Sequence, residues 1–254
     1  MPLSDPHPSY ANPTIVQVTC EIAFASDRDF KLSAAALYPT FSGEFPEIQP
    51  VNLAFQVVVG GQLQPIQDPS VSANAGAFRF ATQDGKRFVQ LSKTNFVYQS
   101  NERYPGWENF RSKLMDLWSA SNSHVQASTA TKVGIRYINR IVKSEARPNL
   151  SDWLKPTADL PKSLIESREH FLGRIESSPA PAHLRLLTLA AEPPGPEWPR
   201  GSIIMDIDRI SIEQFAVSNG AIREKLDFLH EDVWTSFNTA TAPAFKEFLE
   251  GRAQ

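Results

Sequence analysis

Apolar and polar residues alternate through much of this chain, and the alternation predicts strands. Residues 14–24 read TIVQVTCEIAF, with Val16, Val18, Cys20 and Ile22 on one parity and Gln17, Thr19 and Glu21 on the other. Successive side chains of a strand point to opposite faces, so this run predicts a half-buried strand. Residues 51–59 predict a second strand, followed by Gly60-Gly61, whose freedom at positive φ suits a tight turn. AFRFAT and RFVQLS flank an Asp84-Gly85 pair, which predicts a hairpin, and residues 95–99 extend that sheet. TKVGIRYINRIV, residues 131–142, is the clearest strand, with Ile135, Tyr137 and Asn139 on one face and Arg136, Ile138 and Arg140 on the other. Three more strands are expected at 170–177, 183–190 and 201–211. The segment EPPGPEWPRG between the last two holds four prolines and cannot join a regular ladder.

Helical spacing replaces alternation in three places. Residues 29–40 predict a short helix with Phe30, Leu32, Ala36 and Leu37 inward, stopped by Pro39, which lacks the N–H for the next backbone bond. Residues 106–119 place Phe110, Leu114, Leu117 and Trp118 on one side. The strongest helix spans 221–240, with Ile222, Leu226, Leu229, Val233 and Phe237 as a continuous stripe and Ser218 or Asn219 as its cap. Strand runs followed by helices predict an α+β fold. The pattern occurs twice, so the expected organisation is a flexible start (1–13), an α+β half (14–142), a Pro/Ser/Asp-rich link (143–163, with a helical piece at 150–154) and a second α+β half (164–254). Each half would pack an antiparallel sheet against a long amphipathic helix. One compact domain is the alternative.

Composition narrows the functional classes. The 254 residues include 25 basic and 28 acidic side chains, a net charge of −3, which offers none of the basic excess that nucleic-acid binding exploits. The single cysteine, Cys20, cannot form an internal disulfide or a cysteine-based zinc site alone. No run reaches the ~20 apolar residues of a membrane span. The first 13 residues hold four prolines and no apolar signal core, so a cytoplasmic location is expected.

Familiar catalytic signatures do not occur: no Walker loop, GxGxxG, GxSxG or HExxH. His230-Glu231 starts like the last, but position 234 is Trp. The most suggestive chemistry is Asp206-Ile207-Asp208, two carboxylates about 7 Å apart on one side of a strand. Arg136 and Arg140 have the same spacing, and Glu21 and Arg79 also occupy strand positions. If these strands share a face, it carries Glu21, Arg79, Arg136, Arg140, Asp206 and Asp208. Such a face can hold Mg²⁺ on carboxylates and grip a phosphorylated ligand with bidentate arginines. The simpler, preferred reading is a solvated face with ordinary cross-strand ion pairs. The aromatic group Tyr98, Tyr104, Trp107, Phe110 and Trp118 around the second helix reads as core. Trp234, Phe245, Phe248 and Leu249 near the end read either as cover for the sheet or as contact with a partner subunit.

Four segments, NPTIVQVTCEIAF, FVQLSKTNFVYQSNERYPGWENF, VGIRYINRI and IIMDID with the helix after it, resemble a sporadically distributed prokaryotic family of uncharacterised proteins of about this length. GIRYIN is the most specific of these. The resemblance implies a prokaryotic cytosolic protein and supplies neither an activity nor catalytic residues. The expected function is a non-enzymatic binding or interaction module, by a protein partner or self-association and without cofactor. The alternative is an enzyme or sensor for a phosphorylated ligand, with or without Mg²⁺.

Overall fold

A computed structural model describes residues 10–51, 57–59, 62–64, 76–145, 147–157, 160–165 and 171–252. The alternating runs become strands: β1 (Ile15–Ala25), β2 (Glu47–Val51), β3 (Val57–Val59), β4 (Gln62–Gln64), β5 (Ala77–Ala81), β6 (Arg87–Ser92), β7 (Asn95–Ser100), β8 (Thr129–Val142), β9 (Leu172–Ala180), β10 (His183–Glu192), β11 (Ser202–Ser211) and β12 (Phe215–Ala216). The helices are α1 (Phe30–Phe41), α2 (Trp107–Val125), the short α3 (Lys162–Ile165), α4 (Asn219–Ala240) and α5 (Pro243–Leu249). The helical piece expected at 150–154 is a single 3-10 turn, Leu150–Asp152. The strand expected at 51–59 is not seen as one element: Val51 ends β2, Val57–Val59 form β3, and residues 52–56, like Gly60-Gly61 and residues 1–9, lie outside the described residues.

The fold is α+β, but the strands of the two expected halves form one sheet. Its antiparallel order is β2-β5-β6-β7-β1-β8-β11-β10-β9, with β12 on β8 and β3-β4 as a separate pair. The join is β8, which pairs with β1 on one side and with β11 on the other, from Ser202↔Val142 to Ser211↔Val133. Both backbone edges of the best strand are therefore satisfied, and a division at 143–163 does not divide the sheet.

Register carries one face across the molecule. Phe80, Val89, Tyr98, Cys20, Ile135, Arg209 and Arg185 are successive neighbours in one cross-sheet row. Helices back this face: α1 against β5 and β6, α2 against β7, and α4 against β8 and β11. Ile222, Leu226, Leu229, Val233 and Phe237 of α4 are all buried, each burial contributing about 1.5–3 kcal/mol. Ser218 caps α4, its hydroxyl accepting from the Ala221 N–H at 3.1 Å.

Two details of the helices differ from expectation. Pro39 lies inside α1 rather than ending it, and only Thr40 and Phe41 follow it before the helix stops, so the missing N–H falls in the last turn. The inward face of α1 is Ser33, Ala34, Leu37 and Phe41, whereas Leu32 is 71% exposed. Phe41 meets Phe80 edge-on, ring centroids 5.4 Å apart, on the buried side of the helix. At the other end of the chain, Phe245 and Leu249 are fully buried, and Trp153 packs edge-on against Phe245 and Phe248. These aromatics cover their own chain.

A buried ionic cluster fastens α4 to the sheet. Asp232 accepts from Arg185 Nε and Nη2 at 2.8 and 2.6 Å and lies 2.9 Å from His183 Nε2 and from Arg209 Nε. Arg209 is 1% exposed and also donates to Ser236 Oγ. Burial raises the Asp232 carboxyl, but the bonds from Arg185 and His183 and the two guanidinium charges outweigh it and hold it below the usual range.

Candidate functional site

A pocket of about 420 Å³ opens on the helix-covered side, between the start of α2 and the middle of α4. Its first wall comes from Tyr104-Pro105-Gly106-Trp107. Gly106 sits at φ 89°, a conformation that glycine adopts without strain, and α2 starts immediately after it. Trp107 stacks on His230 of α4, ring centroids 4.2 Å apart and 11° from parallel. Its indole N–H donates to Asp227 Oδ1 at 2.9 Å, and Arg111 donates to the same oxygen at 2.6 Å. The two helices are thus tied at the pocket mouth.

β8 supplies the floor. The Tyr137 hydroxyl lies 3.1 Å from His230 Nδ1 and 3.1 Å from the Tyr104 hydroxyl, so three polar groups from three elements form one chain. Asn139, one pleat along, accepts at Oδ1 from the Thr14 hydroxyl at 3.0 Å. Ile207 lies below and Val233, Phe237 and Leu249 at the side, and Arg103, Glu108 and Asn109 add polar groups to the lining. Tyr10 stacks on Trp234 at 6.1 Å. Asn12 donates its backbone N–H to Leu249 O at 3.0 Å and its side-chain amide to Phe248 O at 2.9 Å. The end of the segment expected to be flexible, residues 10–13, is therefore tied down beside the pocket.

Sequence reasoning did not find this site. It placed Tyr137 and Asn139 on one face of their strand and grouped Tyr104 with Trp107, but read the aromatics as core and His230-Glu231 only as an incomplete HExxH. Trp107 and Phe110 are indeed buried, yet Trp107 also forms a pocket wall. A usable signal was present: His230 falls in the apolar stripe of α4, four residues after Leu226, and Tyr137 and Asn139 are polar groups on a buried parity.

The six charged candidates all share the opposite face. Arg79, Gln90, Val97, Glu21 and Gly134 are neighbours along one row, and Arg136 and Arg140 have the parity of Gly134. Arg136 pairs with Asp208 in register, which places Asp206 on this face too. They do not form one site. At about 4.8 Å per strand, Arg79 on β5 and Asp208 on β11 lie five strands and roughly 24 Å apart. Arg79 donates to Gln90 Oε1 at 3.0 Å and lies over the Phe88 ring. Arg140 makes a two-point contact with Glu192 at 3.0 and 3.2 Å and stacks on Trp198.

Four of the six do come together. Arg136 grips Asp206 through Nε at 2.8 Å and Nη2 at 2.6 Å, and Glu21 pairs with Lys132 at 2.6 Å. Asp208 lies among them. Burial pushes its carboxyl up to about 6; the Asp206 and Glu21 charges add to the rise, and Arg136 and Lys132 oppose it. The two guanidiniums expected to grip phosphate are thus already occupied by carboxylates. Among the described residues, no group of three or more His, Cys, Asp or Glu is arranged to hold a metal ion. Cys20 is buried, and burial pushes its thiol up, away from the reactive thiolate.

Among the described residues, no helix is long and apolar enough to cross a membrane. No protein-family model matches the chain, and a search of curated proteins finds no match.

Proposed function

We propose that this protein is a non-enzymatic binding module whose site is the aromatic pocket between α2 and α4, and that its ligand is a compact, flat, mainly apolar molecule with a polar group. The observation that carries this reading is the pocket itself: about 420 Å³, apolar over most of its wall, with the Tyr104–Tyr137–His230 chain on one side. Ligand sites are typically concavities of roughly 300–1,000 Å³ in which a few placed polar groups orient an otherwise apolar ligand. Flat aromatic walls favour a flat ligand, because offset stacking adds to the area buried. The bonds tying α2 to α4, and residues 10–13 to the C-terminal helix, keep the walls in place, which lowers the ordering cost of binding.

Indole is a suitable probe, being flat and carrying one N–H. Its binding can be followed by calorimetry and by chemical-shift changes, with Val233→Trp as the blocking variant. Val233 is buried in the pocket wall, so the larger ring fills the space. Saturable binding to the wild type, reduced at least tenfold in a Val233→Trp protein with an unchanged circular dichroism spectrum, supports the reading. No saturable binding of indole or 2-naphthol, or equal binding to both proteins, overturns it.

A further inference from the structure

The last strand of the sheet, β9, pairs with β10 on one side, and among the described residues no strand pairs with its other side. An open edge is a row of unused N–H and C=O groups. The opposite edge, β2, is five residues long with Pro50 inside it, which takes a donor out of the ladder. β9 has nine residues and carries its one proline, Pro179, next to its end. Leu172, at its start, is 75% exposed.

The direction of the free groups follows from the ladder. Ala191 N–H donates to Phe171 O at 3.0 Å, and the same register continues through Leu189↔Gly173 and Leu187↔Ile175. Hydrogen-bonded and non-hydrogen-bonded positions alternate in antiparallel strands. Gly173 and Ile175 therefore turn their backbone groups toward β10, and Leu172, Arg174 and Glu176 turn theirs outward. Arg174 and Glu176 project from one face and form an ion pair within the strand at 2.7 Å, with side chains 57% and 63% exposed.

We propose that β9 is an interface for a second copy of this chain, whose β9 adds antiparallel about a two-fold axis at Ile175 and places Arg174 opposite Glu176 of the other copy. Charge selects this register. Outward-facing residues must meet outward-facing residues, which an axis at any residue of the strand allows; an axis at Ser177 would set Glu176 against the neutral Ser178. An axis at Arg174 sets arginine against arginine, and one at Glu176 sets glutamate against glutamate. Only the axis at Ile175 sets opposite charges together, and it does so twice. In that register, Arg174 and Glu176 exchange backbone bonds as well, and pairing shelters Leu172. A two-fold contact uses one self-complementary patch on both copies, as this strand provides. The interface involves none of the pocket residues, so it stands or falls apart from the binding reading.

Sedimentation equilibrium of the full chain tests it, with Arg174→Glu, Glu176→Arg and the double exchange. The wild type is expected to dimerise. Each single exchange sets like charges opposite and raises the dissociation constant at least tenfold, and the double exchange restores the dimer. Both side chains are largely exposed, so all three variants should fold with wild-type circular dichroism. A wild type that stays monomeric to millimolar concentration overturns the proposal and leaves the edge to a foreign strand. So does a dimer that is indifferent to all three variants.

Discussion

Replacing Asp232 by Asn removes one charge and almost no volume, and the structure makes the cost large. Asp232 is 9% exposed and is the carboxylate that Arg209, Arg185 and His183 share. Arg209, at 1% exposure, cannot reach water when that charge is lost. Breaking a buried ion pair from one side costs about 3–5 kcal/mol, because the remaining charge stays buried against the neutral acceptors Leu186 O, Asp208 O and Ser236 Oγ. For a domain of this size, about 2–4 °C of melting temperature accompanies each kcal/mol, giving a fall of roughly 6–20 °C. Urea denaturation at pH 7 measures the difference directly, and Arg185→Gln is the internal comparison. Arg185 is 32% exposed, so solvent screens it and its loss costs about 1 kcal/mol or less. The sign of the pH dependence is fixed as well. The Asp232 carboxyl is held below its ordinary value, so its contribution is complete above about pH 4–5 and fades as acid protonates it. The wild-type advantage over Asp232→Asn should shrink toward pH 3. A variant within 1 kcal/mol of wild type at pH 7, or no costlier than Arg185→Gln, would refute the reasoning.

Asp208→Asn should have the opposite sign. The Asp208 carboxyl titrates near 6 in the fold, above its unfolded value, so its favourable contribution is present in acid and lost as pH rises through 6. Two pH units correspond to about 3 kcal/mol, and partial solvent access reduces this to roughly 1–2 kcal/mol of gain at pH 8. Urea midpoints of both proteins from pH 4 to 8 measure it, and a constant difference across that range counts against the assignment. Gly201→Ala should destabilise by about 1–3 kcal/mol, because Gly201 sits at φ +78° and a Cβ would stand 2.5 Å from the Glu192 carbonyl oxygen. Thermal melts check it, and an unchanged melting temperature would show that the turn can relax.

The elements were legible because alternation and helical spacing are local. The parity of β8 was read residue by residue, whereas the shared face of Arg136, Arg140, Asp206 and Asp208 stood only as a condition until the β8–β11 register was known. What could not be read was which strand edges meet. The β8–β11 pairing joins residues about 70 positions apart, and nothing in either strand names the other. The same gap hid the ion-pair partners. Arg140 turns to Glu192, from the end of β10 beside a proline-rich loop, rather than to an aspartate of β11. The pocket was hidden for a related reason. Tyr104, Tyr137 and His230 lie on a loop, a strand and a helix, and only the packing of α4 brings them within hydrogen-bond reach. Each was visible alone as a polar group on or near an apolar face.

α4 explains why the buried charge and the pocket belong in one account. Residues two apart on a helix lie nearly 200° apart around its axis, so His230 and Asp232 face opposite flanks. On the first flank, Asp227 binds Trp107 and Arg111 of α2, His230 stacks on Trp107, and Val233 and Trp234 line the pocket. On the second flank, spaced at four residues, Phe228 meets the His183 ring, Asp232 holds Arg185 and Arg209, and Ser236 accepts from Arg209. Apolar burial beneath the helix is non-directional and tolerates rotation about the axis. The charged flank does not, because the guanidinium bonds on Asp232 fix distance and angle together. Asp232 thereby sets the rotation of α4, that rotation sets where His230 meets Tyr137, and the shape of the pocket rests on an ion pair on the far side of the helix.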